Sequence, residues 1–137
     1  MNAETMSFEE ALTGFTPAPF APRAWYNREG DTLEVVIAPD EEVEERVDDL
    51  VTVLRSAATN KIIGLTIKKL GAFLKEHQNL SFVFRSPELT FSALFTAVAV
   101  ARSQNLGSQD RFRRLFGELP KGPEARFQIP QDMFPAF

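Results

Sequence analysis

Cysteine is absent from the 137 residues of the chain, and histidine occurs once, as His77. Without thiols the chain has no disulfide, no cysteine nucleophile and no iron–sulfur cluster. A zinc site would have to be completed by carboxylates, and a hydrolase would have one histidine as base. Neither a G-x-S-x-G sequence nor a glycine-rich phosphate loop is present. We therefore expect no cofactor, no metal and no catalytic residue.

Long apolar runs and a secretory signal are also lacking. The longest uncharged stretch, residues 89–101, is shorter than the roughly 20 residues of a membrane-spanning helix. The first 15 residues are acidic and have no apolar core, unlike a signal peptide. We expect a cytoplasmic protein without a membrane partner, and the length fits one domain.

Charge is distributed unevenly around a formal net value of −4. Residues 40–49 contain seven acids and one base, whereas residues 102–126 contain six bases and three acids. We expect these regions to attract each other or a second subunit. The acidic run is predicted to be a solvated connection, and whether it binds a partner or a cation stays open.

Residues 1–24 are predicted to form a short helix and a proline-rich arm. Ser7 and Glu10 match a capping box, which predicts a helix from Phe8 to Thr13. Three prolines in residues 16–22 then favour an extended conformation, because proline fixes φ and lacks an N–H.

From Trp25 onward the apolar pattern has a period of two. It predicts a short strand at Trp25–Tyr26, a turn over Asn27–Asp31 and a second strand from Thr32. Two further strands, about Leu50–Arg55 and residues 62–68, form a hairpin. Gly64 is expected where two backbones approach closely. The prediction is a small antiparallel sheet of three or four strands, arranged as a meander.

Helices follow the sheet. Residues 69–79 are helical in composition, residues 80–84 look extended, and a long helix is predicted with Ser86 as N-cap and Arg102 in its last turns. Its surface is apolar nearly all round, so we expect another helix to cover it. Residues 108–117 predict one more short helix. The fold class is therefore α+β, with residues 25–137 as one domain and the sheet packed against the C-terminal helices.

The tail, residues 121–137, combines three prolines with three phenylalanines. Its apolar content predicts that it docks on folded protein. The arm and the tail together hold six phenylalanines, which suggests that they lie across a neighbouring copy.

Part of the sheet region resembles a known family. Tyr26 to Leu33, the sequence EERVDD at residues 44–49, and IIGLTI at residues 62–67 are similar to the domain of unknown function 2283 family of small bacterial proteins. The similarity covers residues 25–70. It implies a sheet with a hairpin, and it implies no activity, because the family has no established one. Asn27, where the family usually has aspartate, and a turn without Asp-Gly depart from the pattern.

Two groups of residues are candidate sites. Asp31 and His77 could serve an acid–base enzyme, although a turn and a helix terminus explain them more simply. Arg111, Arg113 and Arg114, with Phe112 and Phe116 interleaved, could contact nucleic acid or a protein partner. We expect a non-enzymatic protein-interaction or scaffold module acting as a homo-oligomer, with a nucleic-acid-associated regulator as the alternative.

Overall fold

The computed structural model describes residues 20–103, 109–119 and 126–129. Its fold is α+β with an antiparallel sheet, as the sequence predicts. The strands are β1 (Arg23–Asn27), β2 (Thr32–Val36), β3 (Glu42–Arg46), β4 (Val51–Ser56), β5 (Ile62–Lys68), β6 (Leu89–Thr90) and β7 (Arg126–Phe127). The helices are α1 (Leu70–Glu76), α2 (Ser81–Phe84), α3 (Phe91–Arg102) and α4 (Gln109–Phe116), with a 3-10 turn at Gln78–Leu80.

The main sheet has five strands in the order β1-β2-β5-β4-β3. The predicted three or four strands become five because the acidic run contributes β3 instead of a solvated connection. The strands do not form a simple meander either, since β5 returns to pair with β2 and leaves β1 and β3 at the edges. An edge strand tolerates a run of charges that a central strand does not.

The predicted hairpin is confirmed as β4 and β5, and the β1–β2 hairpin is confirmed on either side of its turn. Gly64 lies where the backbones of β2 and β5 meet. A Cβ at this position would overlap the Val35 carbonyl oxygen and lie 3.0 Å from Leu54 Cδ1. The glycine is therefore required for strand pairing, as its isolated position in an apolar run suggests.

One face of the sheet packs against the helices. The inward side chains alternate along each strand, and Leu33, Val35, Val53 and Leu65 are all fully buried. They form one core with apolar side chains from α1, α2, α3 and α4. A smaller cluster on the other face joins Val36, Leu54 and Ile63 with Trp25 and Ala38.

Two helix boundaries differ from the prediction. Residues 81–84, expected to be extended, form α2. The long helix begins at Phe91 with Thr90 as N-cap, and the Thr90 hydroxyl accepts a hydrogen bond from the Ala93 N–H at 3.2 Å. Ser86 instead closes a local turn by accepting the Glu88 N–H at 3.3 Å. Leu89 and Thr90 are extended because they pair with β7, so the helix cannot begin at Ser86.

The described residues do not cover the apolar helix α3 all round. Phe91, Leu94, Phe95 and Val98 face the core, whereas Val100 is 60% exposed. The predicted covering helix is α4, but it covers only part of the surface. This correction matters because it leaves an apolar surface at the side of α3.

The ends of the chain are described only in part. The predicted helix at Phe8–Thr13 and most of the tail lie outside the described residues. Phe127 and Ile129 are buried in the protein's own core, so this piece of the tail docks within its own chain. Phe20, near the end of the arm, is 39% exposed.

Candidate functional site

The acidic and basic regions are bound to each other within one chain. Arg102, at the end of α3, donates from Nε to Asp48 at 2.7 Å and from NH2 to Asp49 at 2.9 Å. Both aspartates lie in the turn between β3 and β4. Asp48 also accepts the N–H groups of Leu50 and Val51. The charge asymmetry of the sequence thus joins α3 to the sheet.

Two of the three candidate arginines on α4 take part in the same contact. Arg111 donates to the Val47 carbonyl oxygen at 2.7 Å, and Arg114 donates to Glu45 at 3.2 Å. Arg113 is exposed and lies beside a surface hollow. Among the described residues, Arg114 alone of these three arginines forms an ion pair.

The aromatic residues of α4 differ in their surroundings. Phe112 is buried and its ring lies 5.9 Å from that of Phe95. Phe116 is 40% exposed and meets Phe95 edge to face at 5.3 Å. Phe112 is therefore not available to stack on a base or to contact a partner, which corrects its inclusion among the contact residues. Phe116 remains accessible.

Arg55 forms an ion network that sequence reasoning missed. Its guanidinium, in a residue only 8% exposed, donates to Glu45 at 2.7 Å, to both oxygens of Glu118 at 2.9 and 3.1 Å, and to the Asn60 carbonyl oxygen at 3.0 Å. Hydrogen bonding to Glu118 raises the pKa of Arg55, and the same bond lowers the pKa of Glu118. The network fixes the segment after α4 to the sheet.

The strand pattern contains a signal for this network. Val51, Val53 and Arg55 occupy alternate positions of β4 and point to the helix-covered face, apart from a bulge between Leu54 and Arg55. An arginine at an inward position requires carboxylate partners. The sequence does not reveal that Glu118, 63 residues away, is one of them.

Asp31 and His77 are not brought together. Asp31 has φ 47°, and its carboxylate accepts hydrogen bonds from the Tyr26 hydroxyl and from the Gly71 N–H at the start of α1. His77 ends the same helix, with its ring 5.0 Å from that of Phe73. A helix rise of about 9 Å lies between Gly71, whose N–H binds Asp31, and His77. Each residue has a structural contact, and they do not share a site.

A cavity of about 540 Å³ lies beside the β4–β5 turn. Its volume is typical of small-molecule sites, and Ile37, Ile62 and Leu119 line it. Two carboxylates also line it, and both have partners within the protein. Asp40 accepts the Ser56 hydroxyl, and Glu118 binds Arg55. The cavity therefore combines an apolar wall with carboxylates that already have partners.

A second, shallower feature lies between α3 and α4. Val100 and Phe116 border a hollow, with Ala99 and Phe112 beneath them and Arg113 at the rim. Two exposed apolar side chains thus share one surface. We call this surface, from Ala99 to Ser103 at the end of α3 and from Gln109 to Phe116 on α4, the helix surface.

Comparisons with protein families, with curated proteins and with solved structures give no match. The resemblance to the domain of unknown function 2283 family stays a prediction. Across residues 20–103, 109–119 and 126–129, no helix is long and apolar enough to cross a membrane. The same residues contain no group of three or more acidic or histidine side chains arranged to hold a metal ion.

Proposed function

We propose that this protein is a non-enzymatic protein-interaction module that acts as a homo-oligomer, in its simplest form a dimer. The observation that carries the proposal is the exposure of Val100 and Phe116, at 60% and 40%, on the helix surface. Large apolar side chains that share one exposed patch are typical of protein contact surfaces.

A second copy fits this surface better than a charged ligand does. The floor of the hollow is apolar and its rim carries one charge, that of Arg113, and homodimer interfaces are more apolar than other protein surfaces. The Phe116 ring packs on Phe95 but stays 40% exposed beside the hollow, so the same surface offers both an aromatic side chain and a hollow. A two-fold axis would place the Phe116 ring of each copy against the hollow of the other.

The alternatives have less support. An acid–base enzyme would need Asp31 and His77 together. Asp31 contacts the start of α1, whereas His77 follows its end. A nucleic-acid contact would rely on Arg113 and Phe116, since Arg111 binds a backbone carbonyl and Phe112 is buried.

Sedimentation equilibrium of the full chain tests the proposal. We expect a dimer at micromolar concentration, and Val100→Glu or Phe116→Glu should weaken association at least ~10-fold, because a charge would be buried at the contact. Val43→Glu and Phe82→Glu are matched controls, since these side chains are 53% and 73% exposed but lie outside the hollow. A monomeric wild type, or equal weakening by the control variants, would refute the proposal.

A further inference from the structure

Strand β3 pairs with β4 on one side, and no strand of the described residues lies along its other side. Its pairing with β4 continues beyond the strand at both ends, because Val47 N–H donates to Val51 O at 2.9 Å and Ala57 N–H donates to Glu41 O at 2.8 Å. In an antiparallel ladder, hydrogen-bonded residues alternate with residues that turn their N–H and C=O groups away from the neighbouring strand. Odd-numbered residues of β3 therefore bond to β4.

The even-numbered residues of β3 carry the free backbone groups. Glu42, Glu44 and Arg46 are all exposed, and by the alternation their N–H and C=O groups point outward. Their side chains lie on the sheet face away from the helices, opposite Ser56, Leu54 and Thr52 of β4. No strand among the described residues pairs with this outer side. A row of open donors and acceptors is a template for an added strand.

The side chains around this edge are mainly acidic. Glu41, Glu42 and Glu44 form no ion pair with the described part of the chain. Their field reaches across the sheet, since the pKa of Glu34 is raised by burial and then by the charges of Glu42 and Glu44. The edge therefore combines backbone groups that pair with no described strand with negative charge that no ion pair of the described residues neutralises.

We propose that the outer edge of β3 binds an extended basic segment of another protein as an added β-strand. Backbone hydrogen bonds to Glu42, Glu44 and Arg46 would hold the segment. Cationic side chains at every second position would lie beside Glu42 and Glu44 on the face away from the helices. A second copy fits less well, because its own acidic edge would repel this one. This surface is separate from the helix surface, so the proposal does not depend on self-association.

A titration followed by ¹⁵N NMR tests the proposal at low salt. The probe is a short acetylated and amidated peptide of alternating lysine and threonine. In the control peptide the backbone nitrogen of each lysine is methylated. This keeps the side-chain charge and removes the backbone N–H donors. We expect the amides of Glu42, Glu44 and Arg46 to become protected from hydrogen exchange on binding. The control peptide should bind ~10-fold more weakly, because several backbone hydrogen bonds are lost.

Two substitutions at one position separate backbone from charge. Glu44→Gln removes the charge and keeps the N–H, and should weaken binding ~3-fold. Glu44→Pro also removes the outward N–H while sparing the ladder to β4, since proline is tolerated on the free side of an edge strand. It should weaken binding at least ~3-fold further.

Three results would overturn the proposal. The first is equal affinity for the two peptides, which would indicate charge attraction alone. The second is protection of the three amides in the free protein that is lost on dilution, which would show that a second copy occupies the edge. The third is an absence of binding at low salt.

Discussion

Asp48 and Asp49 bind the same guanidinium from different surroundings. The Asp48 side chain is 7% exposed and that of Asp49 is 72% exposed. Burial raises the pKa of Asp48, but hydrogen bonds from Arg102 and from two backbone N–H groups outweigh it, so that the pKa lies below its ordinary value of 3.8. This carboxylate therefore stabilises the fold above that pH, and the stabilisation is lost as the pH falls through the folded pKa.

The Asp48→Asn substitution should lower the free energy of unfolding at pH 7 by about 1–3 kcal/mol, since a buried charge-assisted bond is lost. It should also reduce the loss of stability between pH 5 and low pH, because one carboxylate with a lowered pKa is gone. Urea unfolding at several pH values measures both effects. Asp49→Asn is the control and should change stability by less than about 0.5 kcal/mol. Equal effects would show that burial does not distinguish the two aspartates.

Tyr26 reports on the Asp31 contact, and it is the single tyrosine of the chain. Burial, the hydrogen bond to Asp31 and the Asp31 charge raise the pKa of Tyr26 to about 12. Its stabilising effect is therefore complete below the ordinary value of 10.0 and is lost as the pH rises through about 12. Absorbance titration at alkaline pH should give this value. Asp31→Asn should lower the pKa but leave it above 10.0, because burial remains; an unchanged pKa would contradict the contact.

Gly64→Ala should destabilise the protein by about 1–3 kcal/mol or more, because the new methyl group overlaps the backbone of β2. Gly30→Ala is the control, since its new Cβ would have no neighbour closer than 3.5 Å. Thermal or urea unfolding compares the two variants. Similar stabilities would show that the strands can separate enough to admit a side chain.

For single residues, the sequence predicts those roles that depend on local geometry. Gly64 and the turn residue Asp31 could be interpreted because backbone approach and turn chemistry are local properties. The network of Arg55 could not, because its partner Glu118 is distant in the chain. Long-range pairing of charges requires the fold to be known first.

At the level of secondary structure, substitutions at Thr90 and Ser86 distinguish the two candidate N-caps of α3. Thr90→Ala should cost about 1 kcal/mol, since it removes the hydroxyl that accepts the Ala93 N–H. Ser86→Ala should cost less than about 0.5 kcal/mol, because the hydroxyl of Ser86 only closes an exposed turn. Urea unfolding distinguishes the two positions. A larger loss for the Ser86 variant would favour the boundary predicted from the sequence.

The strands and helices that the sequence predicts correctly carry a recognisable apolar pattern or composition within their own residues. Strands β4 and β5 alternate or are apolar throughout, and α1 has helical composition. Strand β3 was not predicted because its charges, rather than its pattern, dominate the sequence, and pairing with β4 decides its conformation. The start of α3 was misplaced because the pairing of Leu89 and Thr90 with β7 overrides an acceptable N-cap at Ser86. Tertiary contacts decide both cases.

For the whole molecule, the uneven charge is used internally. Arg102 and Arg114 bind the acidic side of the sheet, so these cations are not left for an external anion. Among the surfaces that the structure describes, the apolar helix surface and the acidic edge of β3 stay accessible. The sequence predicts the α+β class and the attraction between charged regions, but it does not show which apolar side chains stay exposed.

If two copies meet through the helix surface, as we propose, paramagnetic NMR on mixed samples should detect the contact. The absence of cysteine lets a nitroxide be attached at one introduced position, Ser103→Cys, at the rim of the hollow. Spin-labelled protein at natural isotope abundance is mixed with ¹⁵N-labelled protein that carries no spin label. Broadening of the ¹⁵N signals then reports only contacts between copies. We predict selective broadening of amides in α3 and α4, abolished by Val100→Glu. Broadening confined to other elements, or none at micromolar concentration, would show that the helix surface is not a contact between copies.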